Sequence, residues 1–365
     1  MSDGASNDEI VEMLEEMQVD LEPLSPEDAL SRYLDSNPRE NTEQTLTSHR
    51  SRLKPFIRWC EDNDIENLNN LIGRQVEAYA SQLRGSDLAE TTVRSRIRTL
   101  SVLLQYARDI EGVKPSLLEK IDIPTLSDGA GARDTMVSAD EIDTILSYLS
   151  KYKYASTAHT AIALMGECGL RISALRALDC EDVHLDGDNP HLRLCNRPET
   201  GTRLKNKNGS ERWISISHDM ASLLQDYLTE QRPDVTDEFG REPLIATKYG
   251  RISSSTLRKY VYMWTRPCVT SDDCPHGRDV SECAARQTDS EAYDCPSSKS
   301  PHTIRRGYIT HELARDVPST VVSDRCDVSE EVIEKHYDER SEEQRMQQRR
   351  QLLKQSERDN GRYGD

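Results

Sequence analysis

The chain has 365 residues, of which 35% are hydrophobic and 31% charged, with a formal net charge of −18. That length suits two domains, each able to bury its own core, and no apolar run approaches the length needed to cross a bilayer. The N-terminus is acidic rather than basic and then apolar, so no secretory leader is expected; the reading is an intracellular, cytoplasmic protein whose nine cysteines are not paired by default.

Residues 1–24 read as an acidic arm. Residues 1–31 hold ten Asp/Glu and no Lys or Arg, leaving −8 for residues 32–365, where 35 Arg stand against 12 Lys. Acidity of this size argues against a nucleic-acid partner, which normally leaves a basic footprint. Few lysines, only two Phe and a large acidic excess also fit a protein from high salt, where net charge favours solubility. Charge alone therefore leaves the partner open.

Ser25-Pro26-Glu27-Asp28 is a helix start, with serine at the N-cap, proline at N1 and acids in the first turn. From there to Ile123 the pattern is helical. Thr45–Cys60 carries an apolar face, with Pro55 as a kink or a boundary. Ile65–Leu71 connects to a helix over Ile72–Leu83. Thr91–Ala107 is the clearest element: Val93, Ile97, Leu100, Leu103, Leu104 and Ala107 form its buried stripe. Thr91, Thr92, Arg94, Arg96 and Arg98 remain outside that stripe, either as an ordinary wet face or as a surface for phosphates.

Residues 124–137 carry Gly129 and Gly131 without periodicity and read as a linker. Ser138 and Glu141 make a capping box for a helix to about Leu149. Thr157–Glu167 is an apolar, buried helix ended by Gly169, and Arg171 follows at once. His191–Arg197 and Arg212–Ser217 alternate as strands, with Asn208-Gly209 as a tight turn that places Lys205 and Lys207 beside a hairpin tip. Met220–Gln231 and Ser253–Trp264 read as helices, residues 266–299 as an irregular Cys-rich stretch, and Ser341–Arg358 as a charged helix.

One short run stands out next: Ser300-Pro301-His302-Thr303-Ile304-Arg305-Arg306-Gly307, followed by Tyr337. His302 and Arg305 lie at i and i+3, one face of one helical turn. A hydrogen-bonding ring beside a planar fork of fixed charge suits a phosphate.

Arg171 in its Gly-Leu-Arg-Ile-Ser frame, then His302-x-x-Arg305, then Tyr337, in that order, resembles the tyrosine recombinase (phage integrase) family. The resemblance implies a mainly α fold with a small β-hairpin or sheet (α+β). A SAM-like core-binding domain at 25–123 would precede the catalytic domain at 138–340, which holds the 266–299 insertion and is followed by a charged tail at 341–365. It also implies a site-specific DNA recombinase or integrase acting on duplex DNA, as a homotetramer on that DNA, with the nucleoid and no membrane. Tyr337 would be the nucleophile of a 3′-phosphotyrosyl intermediate, Arg171 and Arg305 the charge clamp, and His302 the partner of the tyrosine proton. A hairpin lysine, Lys207 with Lys205 as second choice, would protonate the leaving 5′ oxygen. No catalytic cofactor is implied. Thr91, Thr92, Arg94, Arg96 and Arg98 would face the DNA backbone.

The chain departs from that pattern at three places. Ala174 stands where an acid is usual, and Arg306 where His is frequent. Asp327 or Val328 falls where His or Trp is normal, nine or ten residues before the tyrosine. Valine cannot donate to phosphate and an ionised aspartate would repel it. Either Asp327 is protonated or displaced, or another donor such as Arg325, Arg306 or His336 serves, or the chain is a catalytically weak or inactive DNA-binding protein of this fold. Tyr308 is the other candidate nucleophile. Cys268, Cys274, Cys283 and Cys295 share the insertion with His276; their spacings lack a C-x-x-C knuckle, and structural zinc, free thiols and disulfides all remain open.

Overall fold

The computed structural model describes residues 21–36, 43–127, 135–271, 273–338 and 340–360. The acidic arm as far as residue 20, and the glycine-bearing part of the expected linker at 128–134, lie outside the described residues. The chain divides into two units, Met1–Arg133 and Asp134–Asp365.

The first unit is built on helices α1 (Pro26–Ser36), α2 (Glu43–Asp62), α3 (Gly73–Arg84) and α4 (Glu90–Asp109). Ser25 caps α1, its Oγ accepting from the Asp28 N–H at 3.1 Å. α2 runs unbroken through Pro55. Leu53, Phe56, Ile57 and Cys60 stay buried on either side of the proline, so the packing outweighs one missing backbone bond. Phe56 meets Tyr79 of α3 edge-on, with ring centroids 5.2 Å apart. Every residue of the apolar stripe on α4 from Val93 to Ala107 is buried.

In the second unit the capping box of Ser138 and Glu141 opens α5 (Ala139–Tyr152). α6 (Thr157–Cys168) is buried almost all round and stops at Gly169, whose φ of 58° is left-handed. Arg171 is the N-cap of the short α7 (Ile172–Ala177). A three-stranded antiparallel sheet follows, β1 (Val183–His184), β2 (His191–Leu194) and β3 (Arg212–Ser215), in the order β1-β2-β3 with Leu192 opposite Ile214. The β2–β3 connection is not a two-residue turn: Lys207–Ser210 form a 3₁₀ turn entered at Lys207 with φ 56°. Asn208 and Gly209 therefore sit inside that turn, and the strands end earlier than their alternation suggests.

α8 (His218–Asp226), the small hairpin of β4 (Ala246–Thr247) and β5 (Gly250–Arg251), and α9 (Ser254–Trp264) come next. Among its described residues the insertion then holds a short helix, α10 (Ala284–Gln287), and 3₁₀ turns. It is followed by α11 (Pro301–Ala314), α12 (Ser319–Cys326), α13 (Glu330–His336) and α14 (Glu342–Asn360). Leu164, Leu175, Leu192, Ile214, Leu224 and Ile304 share one core, so α6, α7, the sheet, α8 and α11 form a single packed body.

Two features hold this frame. Buried Asp179 and Asp182 take Arg197, Arg241 and Arg251, and Arg241 and Arg251 also pair with Asp237 at 3.2 and 2.8 Å. Gly307 on α11 meets the backbone before β-carbon space runs out elsewhere: a Cβ there would lie 1.8 Å from the Val137 carbonyl oxygen. The gap is set by the Val137 N–H donating to Thr303 O at 3.1 Å. Gly307→Ala is expected to lower unfolding stability by about 1–3 kcal/mol through overpacking, more than the helix gains from alanine. Gly209→Ala, whose Cβ meets nothing within 4 Å, should leave the denaturation midpoint in place; equal midpoints for the two variants would refute the account.

Candidate active site

Pro301 fills the first position of α11 and Ser300 its N-cap, which puts His302 and Arg305 on one face of the first turns. Arg305 is only 2% exposed, and its Nη1 donates to Gly169 O at 2.8 Å. That bond ties the start of α11 to the turn that presents Arg171. Gly169 has no spare room: a Cβ would lie 2.5 Å from the Tyr308 ring and 2.9 Å from Cys326 Sγ. Burial lowers the Arg305 pKa to about 10, and the Arg171 charge adds to the effect. Two guanidinium groups thus stand close enough to feel each other.

His302 keeps part of its ring open to solvent. Loss of water around the rest lowers its pKa from the ordinary 6.5, reinforced by Arg305, Arg171, Lys205 and Arg306. It is therefore a neutral ring at pH 7, able to accept a proton. Of the two hairpin lysines, Lys205 is among the charges acting on His302, while Lys207 begins the exposed 3₁₀ turn. Lys205, the second choice, is thus a lysine whose charge is felt at His302.

Tyr337 ends α13 and is 9% exposed. The Arg306 guanidinium lies over its ring, 5.9 Å from the centroid, and the ionised Tyr337 oxygen would help to hold Arg305 protonated. Arg171, Arg305, His302, Lys205 and Tyr337 therefore act on one small region. Tyr308 is not available to it: its hydroxyl accepts from Arg325 Nε at 2.7 Å, and burial raises its pKa.

Val328, nine residues before Tyr337, packs with Ile309, Leu313, Ile333 and Tyr337, so it offers apolar support and no donor. Asp327, in the left-handed conformation with φ 52°, pairs with Arg171. Arg325 is committed to Tyr308, to Ser215 Oγ at 3.2 Å and to Glu167 O at 3.3 Å. Among the substitute donors, Arg306 lies over the Tyr337 ring, and its Nη2 donates to the main-chain oxygen of the neighbouring His336 at 3.5 Å.

Sequence reasoning missed Asn206, Ser210 and Arg212. Arg212 donates from Nη1 to Ser210 O at 2.8 Å and from Nε to Arg325 O at 2.9 Å. A signal existed: Arg212 shares its strand face with buried Ile214, and a charged residue on an inward face needs partners. On α4, Thr91, Arg94 and Arg98 share a face, whereas the Arg96 charge reaches Tyr79. Cys268, Cys274, Cys283, Cys295 and His276 line one small cavity in the insertion, and all nine cysteines are free thiols. Among the described residues, no three His, Cys, Asp or Glu side chains are gathered tightly enough to hold a metal ion.

The same fold is found in solved structures. A Tn1549 transposon integrase in complex with a circular intermediate DNA aligns over 90% of this chain and 99% of its own, at 13% identity and TM-score 0.61. A lambda integrase tetramer bound to a Holliday junction aligns over 87% and 78%, at 16% identity and TM-score 0.55. A tyrosine recombinase of Thermosipho africanus is 22% identical over 300 residues, 80% of this chain and 87% of its own. Residues 135–343 match the phage integrase family and residues 29–110 the phage integrase N-terminal SAM-like domain, and the chain belongs to the phage integrase family.

The depressed pKa of His302 has a sign that can be checked. The folded ring resists protonation, so its contribution to stability is intact above about 6.5 and lost as pH falls below that value. An NMR titration should place its midpoint below 6.5. Lys205→Ala should move the midpoint up, and Lys207→Ala should not; the reverse pattern would return the site to Lys207.

Proposed function

We propose that this recombinase cuts and rejoins duplex DNA at a specific site through Tyr337, with Arg171, Arg305, His302 and Lys205 as its chemical partners. The observation that carries the reading is the buried Arg305 guanidinium, on which the Arg171 charge acts, on one helical turn with His302 and electrostatically coupled to Tyr337. A phosphodiester entering there meets fixed positive charge before any bond changes. Arg171 and Arg305 neutralise the non-bridging oxygens as charge builds on phosphorus. The Tyr337 oxygen attacks phosphorus, its proton passing to His302, while the bond from phosphorus to the 5′ oxygen breaks and Lys205 gives that oxygen a proton. The product is a 3′-phosphotyrosine and a free 5′ hydroxyl. Attack by a 5′ hydroxyl from a second duplex reverses the step and completes exchange without an external energy source.

In this reading residues 25–123 form the core-binding domain, with Thr91, Thr92, Arg94 and Arg98 toward the DNA backbone and Arg96 on its flank. Residues 124–137 link it to the catalytic domain at 138–340, and 341–365 form the charged tail. The working assembly is a homotetramer on DNA, as in the solved lambda integrase complex. The place of action is the cytoplasm with the nucleoid, and the acidic, lysine-poor composition suits high salt. No helix among the described residues is long and apolar enough to cross a membrane. Catalysis needs no cofactor. Structural zinc on Cys268, Cys274, Cys283 and Cys295 would tie the insertion, by drawing four sulfurs from the wall of one cavity onto one ion. Arg266, Arg278 and Arg286 line the same cavity and would offset the negative charge of four thiolates.

On a nicked suicide duplex carrying the protein's own site, in high KCl, wild type should form a covalent adduct visible under denaturing conditions. Tyr337→Phe should abolish the adduct and keep non-covalent binding. Arg171→Ala or Arg305→Ala should slow cleavage by orders of magnitude. A wild type that binds its site yet leaves no adduct at any pH or salt would make the chain a DNA-binding relative without catalysis, as Val328 in place of a donor would favour. For the metal, elemental analysis of purified protein should find about one zinc per chain, and a chelator should expose residues 266–299 to protease without stopping adduct formation. Protein purified without zinc, and no tighter when zinc is added, removes the metal.

A further inference from the structure

Asp327 sits where three distant pieces of chain meet. It follows α12 in the left-handed conformation, with φ 52°, which aspartate tolerates better than most residues. Its main-chain oxygen accepts from Arg171 Nη2, and its Oδ2 accepts from Arg171 Nη1. The same Oδ2 takes the Ser210 hydroxyl at 2.8 Å, and Oδ1 takes the Asn206 amide at 2.8 Å. Ser210 Oγ in turn accepts from the Asn206 N–H at 3.0 Å. The carboxylate is therefore the hub between the start of α7 and the 3₁₀ turn at Lys207–Ser210, two residues after Lys205.

We infer that Asp327 is a positioning residue for strand cleavage, holding Arg171 and the Lys205 loop in one fixed relation so that charge clamp and proton donor reach the same phosphate. The inference rests on the roles proposed above for those two residues. Asp327 occupies two N–H groups of Arg171 and leaves the Nε–H and one N–H on each terminal nitrogen for a phosphate. Its charge also lies among Arg171 and Arg212, offsetting repulsion that would otherwise spread these arginines. Burial works against ionisation of the carboxyl. Hydrogen bonds from Ser210 and Asn206, with the Arg171 and Arg212 charges, outweigh it and hold the group below the usual carboxylate range. The aspartate that looks hostile to phosphate in the linear sequence is thus already spent on an arginine.

Single-turnover cleavage by the full chain tests this with two duplexes, one with the natural 5′ oxygen and one with sulfur at that bridging position. A thiolate leaves without a proton, so the sulfur substrate does not need the lysine. Asp327→Asn keeps the shape and removes the charge. It should slow the oxygen substrate about tenfold to a hundredfold, as expected for a misplaced reacting group, and slow the sulfur substrate clearly less. Lys205→Ala should show the same contrast, and the double variant should lose less than the two losses combined. Asn206→Ala cuts the tie from the loop side without touching Arg171, and should give a smaller loss with the same leaving-group contrast. This second variant keeps the test open if Asp327→Asn folds poorly. If wild type cleaves but Asp327→Asn is as fast or faster, or slows both substrates equally, the inference is overturned while the catalytic reading stands. A wild type without adduct overturns both.

Discussion

The second unit depends on keeping several arginines together where little water reaches them. Arg305 is almost completely buried, and the Arg171 and Arg212 charges are near enough to depress its pKa. Like charges at short range in a poorly hydrated interior repel strongly. They are held by oxygens aimed at them in advance: Gly169 O on Arg305, Ser210 O and Arg325 O on Arg212, and Asp327 on Arg171. In the proposed reaction the scissile phosphodiester brings its negative charge to these donors. A transition state that adds negative charge on phosphorus then gains most where the donors have no further reorganisation to make.

The scaffold serves that arrangement through close backbone approach. Gly169 lets the end of α6 turn left-handed against Tyr308 and Cys326, and Gly307 lets α11 lie on the Val137 carbonyl. Between them they bring Arg171 and Arg305 from positions 134 residues apart into one polar surface. Behind it, the Asp179, Asp182 and Asp237 cluster with Arg197, Arg241 and Arg251 secures the base of the sheet against the β4–β5 hairpin. Removing one partner from such a buried network costs far more than the network adds in stability, because it strands the other charge. The hairpin loop that carries Lys205 therefore projects from a firm base.

The tyrosine is supported from two sides. Val328, Ile309 and Leu313 pack with Tyr337, while the Arg306 guanidinium lies over its ring. An apolar residue at 328 and an arginine at 306 are best understood together: one side of the tyrosine is fixed by packing and the other by a cation. The Tyr337 ring is thus held by packing and by a cation.

The helical elements were legible in the sequence because amphipathic period and capping are local. The stripe from Val93 to Ala107, the Ser138–Glu141 box, the stop at Gly169 and the start at Pro301 all depend on residues within a turn or two of one another. The types of the site residues were legible for a similar reason, since His302 and Arg305 share one turn and the order of Arg171, His302, Arg305 and Tyr337 can be read along the chain. Strand ends and the hairpin turn were less so: Asn208-Gly209 suits a tight turn locally, yet Ser210 is drawn into Asp327 from 117 residues away. The contacts of Asp327 and of the inward Arg212, and the Lys205 charge felt at His302, are visible only in the tertiary structure. Each turns on which charges lie within a few ångströms across segments distant in sequence, and electrostatic interaction at that range depends on folded distance and burial rather than on order along the chain.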